Sequence, residues 1–190
     1  IKAYVQPKVD MHNGHIIGGE ALVRWQNDKE MIYPDQFIPV LEKNGYVIDV
    51  DNFIWNKVCA CIKMMEDKGI EPVPISVNVS RMHVYQEKFT ENLKNMAGEY
   101  GIDPKYIPLE ITESAFTKEE GSLFKKVQSL QGYGFKFSMD DFGSGYSSLG
   151  MLKSERVDEV KIDKTFVDDI ATDKGKVLLG NVIRMINELG

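Results

Sequence analysis

The hydrophobic positions change period along the chain, which predicts a series of strands and helices. Two runs, Ile1–Asp10 and Gly14–Trp25, have strand-like patterns, and Asn13-Gly14 between them is a strong β-hairpin signal. We therefore expect the first two strands to be antiparallel. Because Pro7 lacks a backbone N–H group, it predicts a bulge or an edge position in the first strand.

After the hairpin, strand-like and helical patterns alternate. The further strands are predicted at Pro74–Ser80, Ile107–Ile111, Phe135–Met139 and Glu159–Ile162. The helices are predicted from Pro34 to Asn44-Gly45, at about Asp49–Lys68, over Phe89–Tyr100, over Leu123–Leu130 behind a Thr117–Glu120 capping box, from about Leu149, and over Leu179–Ile186. This alternation predicts an α/β fold with a mostly parallel sheet and helices outside it. An open doubly wound sheet and a closed barrel both fit it.

Composition narrows the class of protein and its compartment. The 190 residues are 43% hydrophobic, which suits one domain spanning 1–190. The net charge of −6 argues against a broad electrostatic grip on nucleic acid, so we expect no DNA partner. Cys59 and Cys61 lie two apart in a helical pattern, a poor geometry for a disulfide. We therefore expect a cytoplasmic domain, in a parent protein that another domain could anchor to a membrane.

Two adjacent carboxylates follow the strand that contains Phe135, Phe137 and Met139. Asp140 and Asp141 have no packing reason to stand together there, and crowded carboxylates repel each other unless a cation or proton lies between them. A metal site is therefore the first hypothesis. The alternative is that Asp141 caps a helix or makes an Asx-turn, which explains one acid but not both.

Other predicted strands also end in polar residues. The second strand carries Glu20 after Gly18-Gly19, and Asn78, Glu110 and Lys161 lie towards the ends of later strands. Because the carboxyl ends of parallel strands form the functional edge of α/β folds, we expect these side chains to meet. The acids and the amide offer only oxygen, which favours Mg²⁺, Mn²⁺ or Ca²⁺ over structural zinc. Asp140 and Asp141 could serve two ions, as in phosphodiester hydrolysis.

Two basic residues each have two interpretations. Lys161 could orient a water molecule or offset phosphate charge, or it could form a buried ion pair with Asp163. The Arg24 guanidinium could donate hydrogen bonds to a phosphate oxygen, or it could lie at the surface packed on Trp25. The sequence pattern leaves both choices open.

The motifs resemble those of the EAL-domain family of cyclic-di-GMP phosphodiesterases over essentially the whole chain. They are Tyr4–Asp10, Gly19–Trp25 with Glu20-Ala21-Leu22, Phe37–Pro39, Ser76–Asn78, Leu109–Ser114, Asp140–Leu149 and Val160–Asp163. The resemblance implies a modified (β/α)₈ TIM-type barrel with an antiparallel first strand.

A complete barrel of this type has eight strands and roughly 250 residues, whereas this chain has 190 residues and six predicted strands. The family continues with a strand ending in Ala-Glu-Gly-Val-Glu and a Gln-Gly motif. We therefore expect the N-terminal three quarters of the domain, a longer parent, and no turnover by the 190 residues alone.

The resemblance also implies a role for each matching position. The first metal is held by Glu20, Asn78, Glu110 and Asp140, and the second by Asp141. Lys161 positions the attacking water, and Asp163 is a supporting acid beside it. Glu113 braces the loop Phe142–Ser148. The substrate contacts are Gln6, Arg24 and the backbone near Leu22.

The implied reaction is hydrolysis of cyclic di-GMP to linear pGpG with two Mg²⁺ or Mn²⁺ ions, and Ca²⁺ is expected to inhibit turnover while supporting binding. Implied partners besides cyclic di-GMP are a second copy in a homodimer and an attached sensory or GGDEF-type domain. The alternative is a receptor that binds cyclic di-GMP without cleaving it. Such receptors usually lose metal ligands, and the ligands matched above are all retained.

Overall fold

The computed structural model describes residues 1–27, 30–112, 115, 120–144, 152 and 157–189. The described residues form seven strands: β1 Lys2–Val9, β2 Ile16–Gln26, β3 Met31–Ile32, β4 Ile75–Asn78, β5 Leu109–Thr112, β6 Phe137–Phe142 and β7 Glu159–Ile162. The helices among them are α1 Pro34–Asn44, α2 Val47–Asp67, α3 Arg81–Val84, α4 Phe89–Tyr100, α5 Glu120–Gln131, α6 Lys164–Asp168 and α7 Asp173–Leu189.

The main strands form one sheet in the order β1-β2-β4-β5-β6-β7, and β3 pairs with β2 off this path. The β1–β2 pair is antiparallel and the following pairs are parallel, as predicted. The six strands of the path curl into a half-barrel. The curl is directly visible because Lys8 on β1 reaches Glu159 on β7, with 2.8 Å between Nζ and Oε2. Of the two architectures that the alternation allowed, the barrel type is confirmed.

The hairpin between β1 and β2 forms where it was predicted, but its loop is longer than two residues. The Asp10 carboxylate accepts hydrogen bonds from the backbone N–H of His12 and the side chain of Asn13. Gly14 completes the turn with φ of +74°, which a residue with a Cβ rarely adopts. Pro7 pairs in register with Gly19 on a strand at the end of the sheet order, so the edge position is confirmed, and the register shifts only between Lys8 and Val9.

The core lies between the outer face of the sheet and the helices. Val77, Leu109 and Phe137 are neighbours in register across three strands, and all are buried. They pack in one cluster with buried helix residues such as Trp55 of α2 and Leu93 of α4. This burial explains why the strand sequences alternate: every second side chain faces the helices, and those between face the opposite side of the sheet.

Several short elements were not predicted. Strand β3 has two residues, and helices α3 and α6 have four and five, which is too short for a hydrophobic period to show. Both short helices are capped: the side chains of Ser80 and Asp163 each accept a backbone N–H at the start of α3 and α6. The predicted Thr117–Glu120 capping box and the helix start near Leu149 lie largely outside the described residues.

Both cysteines are free thiols. Within the described ranges, no helix is long and apolar enough to cross a membrane.

Candidate functional site

The polar side chains predicted at the strand ends share one face of the sheet, which we call the inner face because it lies opposite the helices. Gln6 pairs with Glu20 across β1 and β2, and Asn78 pairs with Glu110 across β4 and β5. Residues paired in register point to the same side of a sheet. The inner face therefore collects the groups that the sequence distributed over separate strands.

Two glycines let β2 come close to its neighbours just before Glu20. A Cβ on Gly18 would lie 2.8 Å from the Pro74 carbonyl oxygen, and a Cβ on Gly19 would lie 2.5 Å from Cγ1 of Val5. Both separations are below van der Waals contact, so a larger residue would displace the backbone at Pro74 or the side chain of Val5. The Gly18-Gly19 pair thus fixes the position of Glu20 relative to β1 and β4.

Lys161 is the centre of the site. Its ammonium nitrogen lies 2.9 Å from Glu20 Oε2, 2.7 Å from Glu110 Oε2 and 3.1 Å from Asp140 Oδ1. The three carboxylates come from β2, β5 and β6. Their mutual repulsion requires a cation among them, and here the ammonium is that cation. The prediction that these strand ends meet is correct.

The opposite charges of Glu110 and Lys161 stabilise each other's charged form. Burial of the Glu110 carboxyl raises its pKa, but hydrogen bonds from Lys161 and Ser76 and the positive charges of Lys161 and Lys8 outweigh burial, so the net pKa is lowered. Burial likewise works against the Lys161 ammonium, yet its bonds to Glu110 and Glu20 raise its pKa overall. Both groups are therefore charged at neutral pH, as the geometry requires.

Asn78 joins the cluster from β4. Its side-chain Nδ2 donates to Glu20 Oε1 at 3.2 Å. Behind it, the indole Nε1 of the buried Trp55 donates to the Asn78 carbonyl oxygen at 3.0 Å. Trp55 in turn stacks on the buried His83 ring, with centroids 4.3 Å apart. The end of β4 is thus held from the helix side as well as from the sheet.

Asp140 and Asp141 lie in different environments although they are adjacent. The strand continues through them to Phe142 instead of ending at Met139, and its register with β7 shifts between Met139 and Phe142. Asp141 has φ of +56°, the one positive value for a non-glycine residue in the described part of the chain. This bulge separates the two carboxylates, so that Asp140 contacts Lys161 while Asp141 is exposed.

The pKa of the Asp141 carboxyl is raised, first by partial burial and then by the negative charges of Asp140 and Asp163. A cation beside the Asp141 carboxyl would favour its charged form. The neighbouring Asp140 Oδ1 accepts the backbone N–H of Asp141 at 3.0 Å, a contact between adjacent residues that is not an Asx-turn.

The structure excludes one of the two interpretations of Lys161, the ion pair with Asp163, and leaves its role towards water or phosphate a prediction. Asp163 does not form the ion pair considered for it: its Oδ1 accepts the backbone N–H of Thr165 at 2.8 Å and caps α6. Hydrogen bonds from the backbone and hydroxyl of Thr165 also lower the pKa of Asp163. Lys161 instead forms ion pairs with Glu20, Glu110 and Asp140.

Two of the predicted substrate contacts, Gln6 and Leu22, lie beside this cluster, and Arg24 lies further along β2. Gln6 is exposed next to Glu20, and Leu22 lines a cleft of about 690 Å³ that also borders Glu20 and Asn78. Arg24 lies further along β2, where its Nη1 donates to the Val23 carbonyl and its guanidinium lies 5.7 Å from the centroid of the Tyr33 ring. The aromatic partner of Arg24 is thus Tyr33 rather than Trp25.

Glu113 lies outside the described residues, as do the last four residues of the loop Phe142–Ser148 that it was expected to brace. The described start of that loop bends at Gly143, whose φ is +91°.

Sequence reasoning missed a second lysine in the cluster. Lys8 contacts Glu110 Oε1 at 3.2 Å and Glu159 at 2.8 and 2.9 Å. The signal was present, because Gln6 and Lys8 alternate with Pro7 and so share the inner face, but the partner of Lys8 could not be read from β1 alone.

The donor set fits a hard divalent cation. It is composed of carboxylate and amide oxygens, which suits Mg²⁺ or Mn²⁺. In their present side-chain conformations, no three His, Cys, Asp or Glu residues among the described ones are arranged as a preformed metal-binding site. The carboxylates of Glu20, Glu110 and Asp140 are instead drawn onto the Lys161 ammonium, which shows that the position attracts positive charge.

The fold and this site define a class: a barrel-type α/β domain with an acidic, lysine-centred cluster on the inner face of its sheet. The family model described as "EAL domain" matches residues 1–190, and the chain belongs to that family.

Two relatives show the extent of the similarity. The bifunctional diguanylate cyclase/cyclic di-GMP phosphodiesterase MucR of Pseudomonas aeruginosa is 32% identical over 181 residues, which are 95% of this chain and 26% of MucR. The oxygen sensor protein DosP of Escherichia coli is 32% identical over 189 residues, which are 99% of this chain and 24% of DosP. The chain therefore spans about a quarter of the length of these relatives.

A solved structure of the MucR phosphodiesterase in complex with c-di-GMP resembles the fold closely. Its TM-score is 0.92 at 30% identity, over 99% of this chain and 77% of the solved chain. The expected barrel-type architecture and family membership are thus confirmed.

Proposed function

We propose that this chain carries the site of a metal-dependent phosphodiesterase that hydrolyses cyclic di-GMP to linear pGpG. The observation that carries the proposal is the convergence of Glu20, Glu110 and Asp140 on Lys161 at the inner face. Membership of the EAL family and the c-di-GMP complex of MucR support the choice of substrate.

Each residue has a role in this proposal. Glu20, Asn78, Glu110 and Asp140 would hold one Mg²⁺ or Mn²⁺ ion, and Asp141 would contribute to a second. When bound, the ions would polarise the scissile phosphate and lower the pKa of the attacking water. Lys161 carries its proton donors at Nζ, so it would orient that water and offset charge that develops on the phosphate.

The substrate would enter beside this cluster. The Arg24 guanidinium would hold a phosphate oxygen, since its planar fork suits that geometry. Gln6 and the backbone near Leu22 would contact the rest of the dinucleotide along the edge of β2. Asp163 would support the site indirectly, because it fixes the first turn of α6 directly after Lys161 and Ile162.

The wider assembly is part of the same proposal. An attached sensory or GGDEF-type domain is supported by two relatives of greater length, the bifunctional diguanylate cyclase/cyclic di-GMP phosphodiesterase MucR and the oxygen sensor protein DosP. A homodimer and a cytoplasmic location stay predictions.

The test is the substitution Glu20→Ala in the intact protein. We expect pGpG formation, measured by chromatography with Mg²⁺ or Mn²⁺, to fall by at least about 100-fold, because even groups that only support metal ligands are worth roughly 10–100-fold. Glu99→Ala, at an exposed position on α4, is the matched control and should keep full turnover. Unchanged turnover in Glu20→Ala would refute the proposal.

Calorimetry separates binding from hydrolysis. With Ca²⁺, we expect the protein to bind cyclic di-GMP without producing pGpG. If the unaltered protein also binds without turnover in Mg²⁺ and in Mn²⁺, the chain is a cyclic-di-GMP receptor and not an enzyme.

A further inference from the structure

The Glu110 carboxylate is shared between two lysines that approach it from different strands. Lys161 on β7 contacts Oε2 at 2.7 Å, and Lys8 on β1 contacts Oε1 at 3.2 Å. The Glu110 side chain is completely buried, with 0% exposure, so water does not compete for these oxygens. Its two oxygens are therefore in distinct positions: Oε2 faces the cluster with Glu20 and Asp140, and Oε1 faces Lys8.

Lys8 is itself held in place. Both oxygens of Glu159 contact its Nζ, at 2.9 and 2.8 Å, and the Lys8 side chain is only 22% exposed. Glu159 begins β7, two residues before Lys161. The Lys8 ammonium thus bridges β1, β5 and β7, and it cannot swing away from Glu110 without breaking its contacts to Glu159.

We propose that Lys8 is a positioning residue that keeps Glu110 Oε1 out of the metal site, so that Glu110 offers the metal one oxygen only. This inference rests on the proposed metal-dependent function. It concerns the ligand's orientation and assigns Lys8 no contact with the substrate.

A one-oxygen ligand has a consequence for metal choice. Mg²⁺ requires near-octahedral coordination by six ligands, whereas Ca²⁺ takes six to eight oxygens and readily accepts both oxygens of one carboxylate. If Lys8 withholds Oε1, the site favours the smaller ion. Without Lys8, Oε1 becomes free to turn towards the metal, and the site should shift in favour of Ca²⁺.

The experiment measures metal binding alone. Calorimetric titrations of the intact protein with Mg²⁺ and with Ca²⁺, without substrate, give the ratio of the two dissociation constants. For Lys8→Met we expect this ratio to shift towards Ca²⁺ by roughly tenfold, the lower end of what groups behind metal ligands contribute. Lys8→Arg keeps the donor and the charge, so its ratio should stay near that of the unaltered protein.

Lys2→Met is the matched control. Lys2 lies on the same strand, but its Nζ donates to Gln26 at 2.6 Å at an exposed position away from the cluster. The variant removes the same charge, so the ratio should not move. A ratio in Lys8→Met that stays unchanged, or affinities that change by one common factor for both ions, would overturn the inference, because a charge effect alone is common to both.

Glu159→Gln gives a second test if Lys8→Met fails to fold by circular dichroism. It leaves Lys8 in place but weakens its anchor, and we expect a smaller shift of the ratio in the same direction. No shift in a folded Glu159→Gln protein would then count against the inference. Failure of the unaltered protein to bind Mg²⁺ or Mn²⁺ would instead refute the proposed function.

Discussion

The substitution Trp55→Phe tests how far the end of β4 depends on the helix behind it. Trp55 is 1% exposed, its Nε1 donates to the Asn78 carbonyl at 3.0 Å, and its ring stacks on His83. Phenylalanine keeps an aromatic ring at this position but removes the donor and part of the ring. The change therefore isolates the hydrogen bond and the lost contacts while leaving the helix intact.

The magnitude follows from two contributions. A lost hydrogen bond costs about 1 kcal/mol net. The smaller ring leaves a void that costs roughly 1–2 kcal/mol, less than the 3–5 kcal/mol of truncating an aromatic residue to alanine. We expect the free energy of unfolding to fall by about 2–3 kcal/mol, which lowers Tm by about 4–12 °C for a chain of this size.

The assay is thermal and urea unfolding followed by circular dichroism, with Trp25→Phe as the matched control. Trp25 is 41% exposed and makes one edge-on contact with Phe37, so the same chemical change should cost under about 1 kcal/mol there. Equal losses in the two variants would refute the argument, because they would show that the Asn78 bond and burial are not what makes Trp55 different.

Two further measurements probe the loop start and the core. Gly143→Ala should lose roughly 2–3 kcal/mol of unfolding free energy in urea titrations, because its φ is +91° and the new Cβ would meet the Phe166 ring. The control Gly180→Ala lies in α7 with open space around it and should gain up to about 1 kcal/mol. A stabilised Gly143→Ala would contradict the assigned geometry. Burial raises the pKa of Cys59 to about 12, and the thiolate is the reactive form. At pH 8 we therefore expect iodoacetamide to label Cys61 well before Cys59, and both at similar rates in denaturant; rapid labelling of Cys59 in the folded Cys61→Ser variant would disprove its burial.

The local patterns predicted the elements well because each pattern reflects a nearby cause. The turn at Asn13-Gly14 needs a residue that tolerates positive φ, and α1 ends where Gly45 adopts φ of +80°. The alternation in β6 arises because one face of the strand meets the helices. Boundaries were less accurate: β6 runs on through the bulge at Asp141, since pairing with β7, and not the local pattern, extends it.

The candidate site could be predicted in kind but not in its contacts. The oxygen-rich residues at strand ends were readable, since parallel strands bring their carboxyl ends to one edge. The partners of Lys161 were not, because Asp163 is near it in sequence while the strand carboxylates are near it in space. Asp163 turns instead to cap α6, whose short length gave no periodic signal.

The sequence alone determined the longer strands and helices, the antiparallel start and the chemical character of the inner face, because these depend on neighbours a few residues away. Only the tertiary structure decided which charges meet. Lys8 and Glu159 are 151 positions apart and lie on strands at opposite ends of the sheet order, yet their charged groups are in contact. That contact exists because the sheet curls, and the curl is a sum of twists over all six strands of the path, which no single segment encodes.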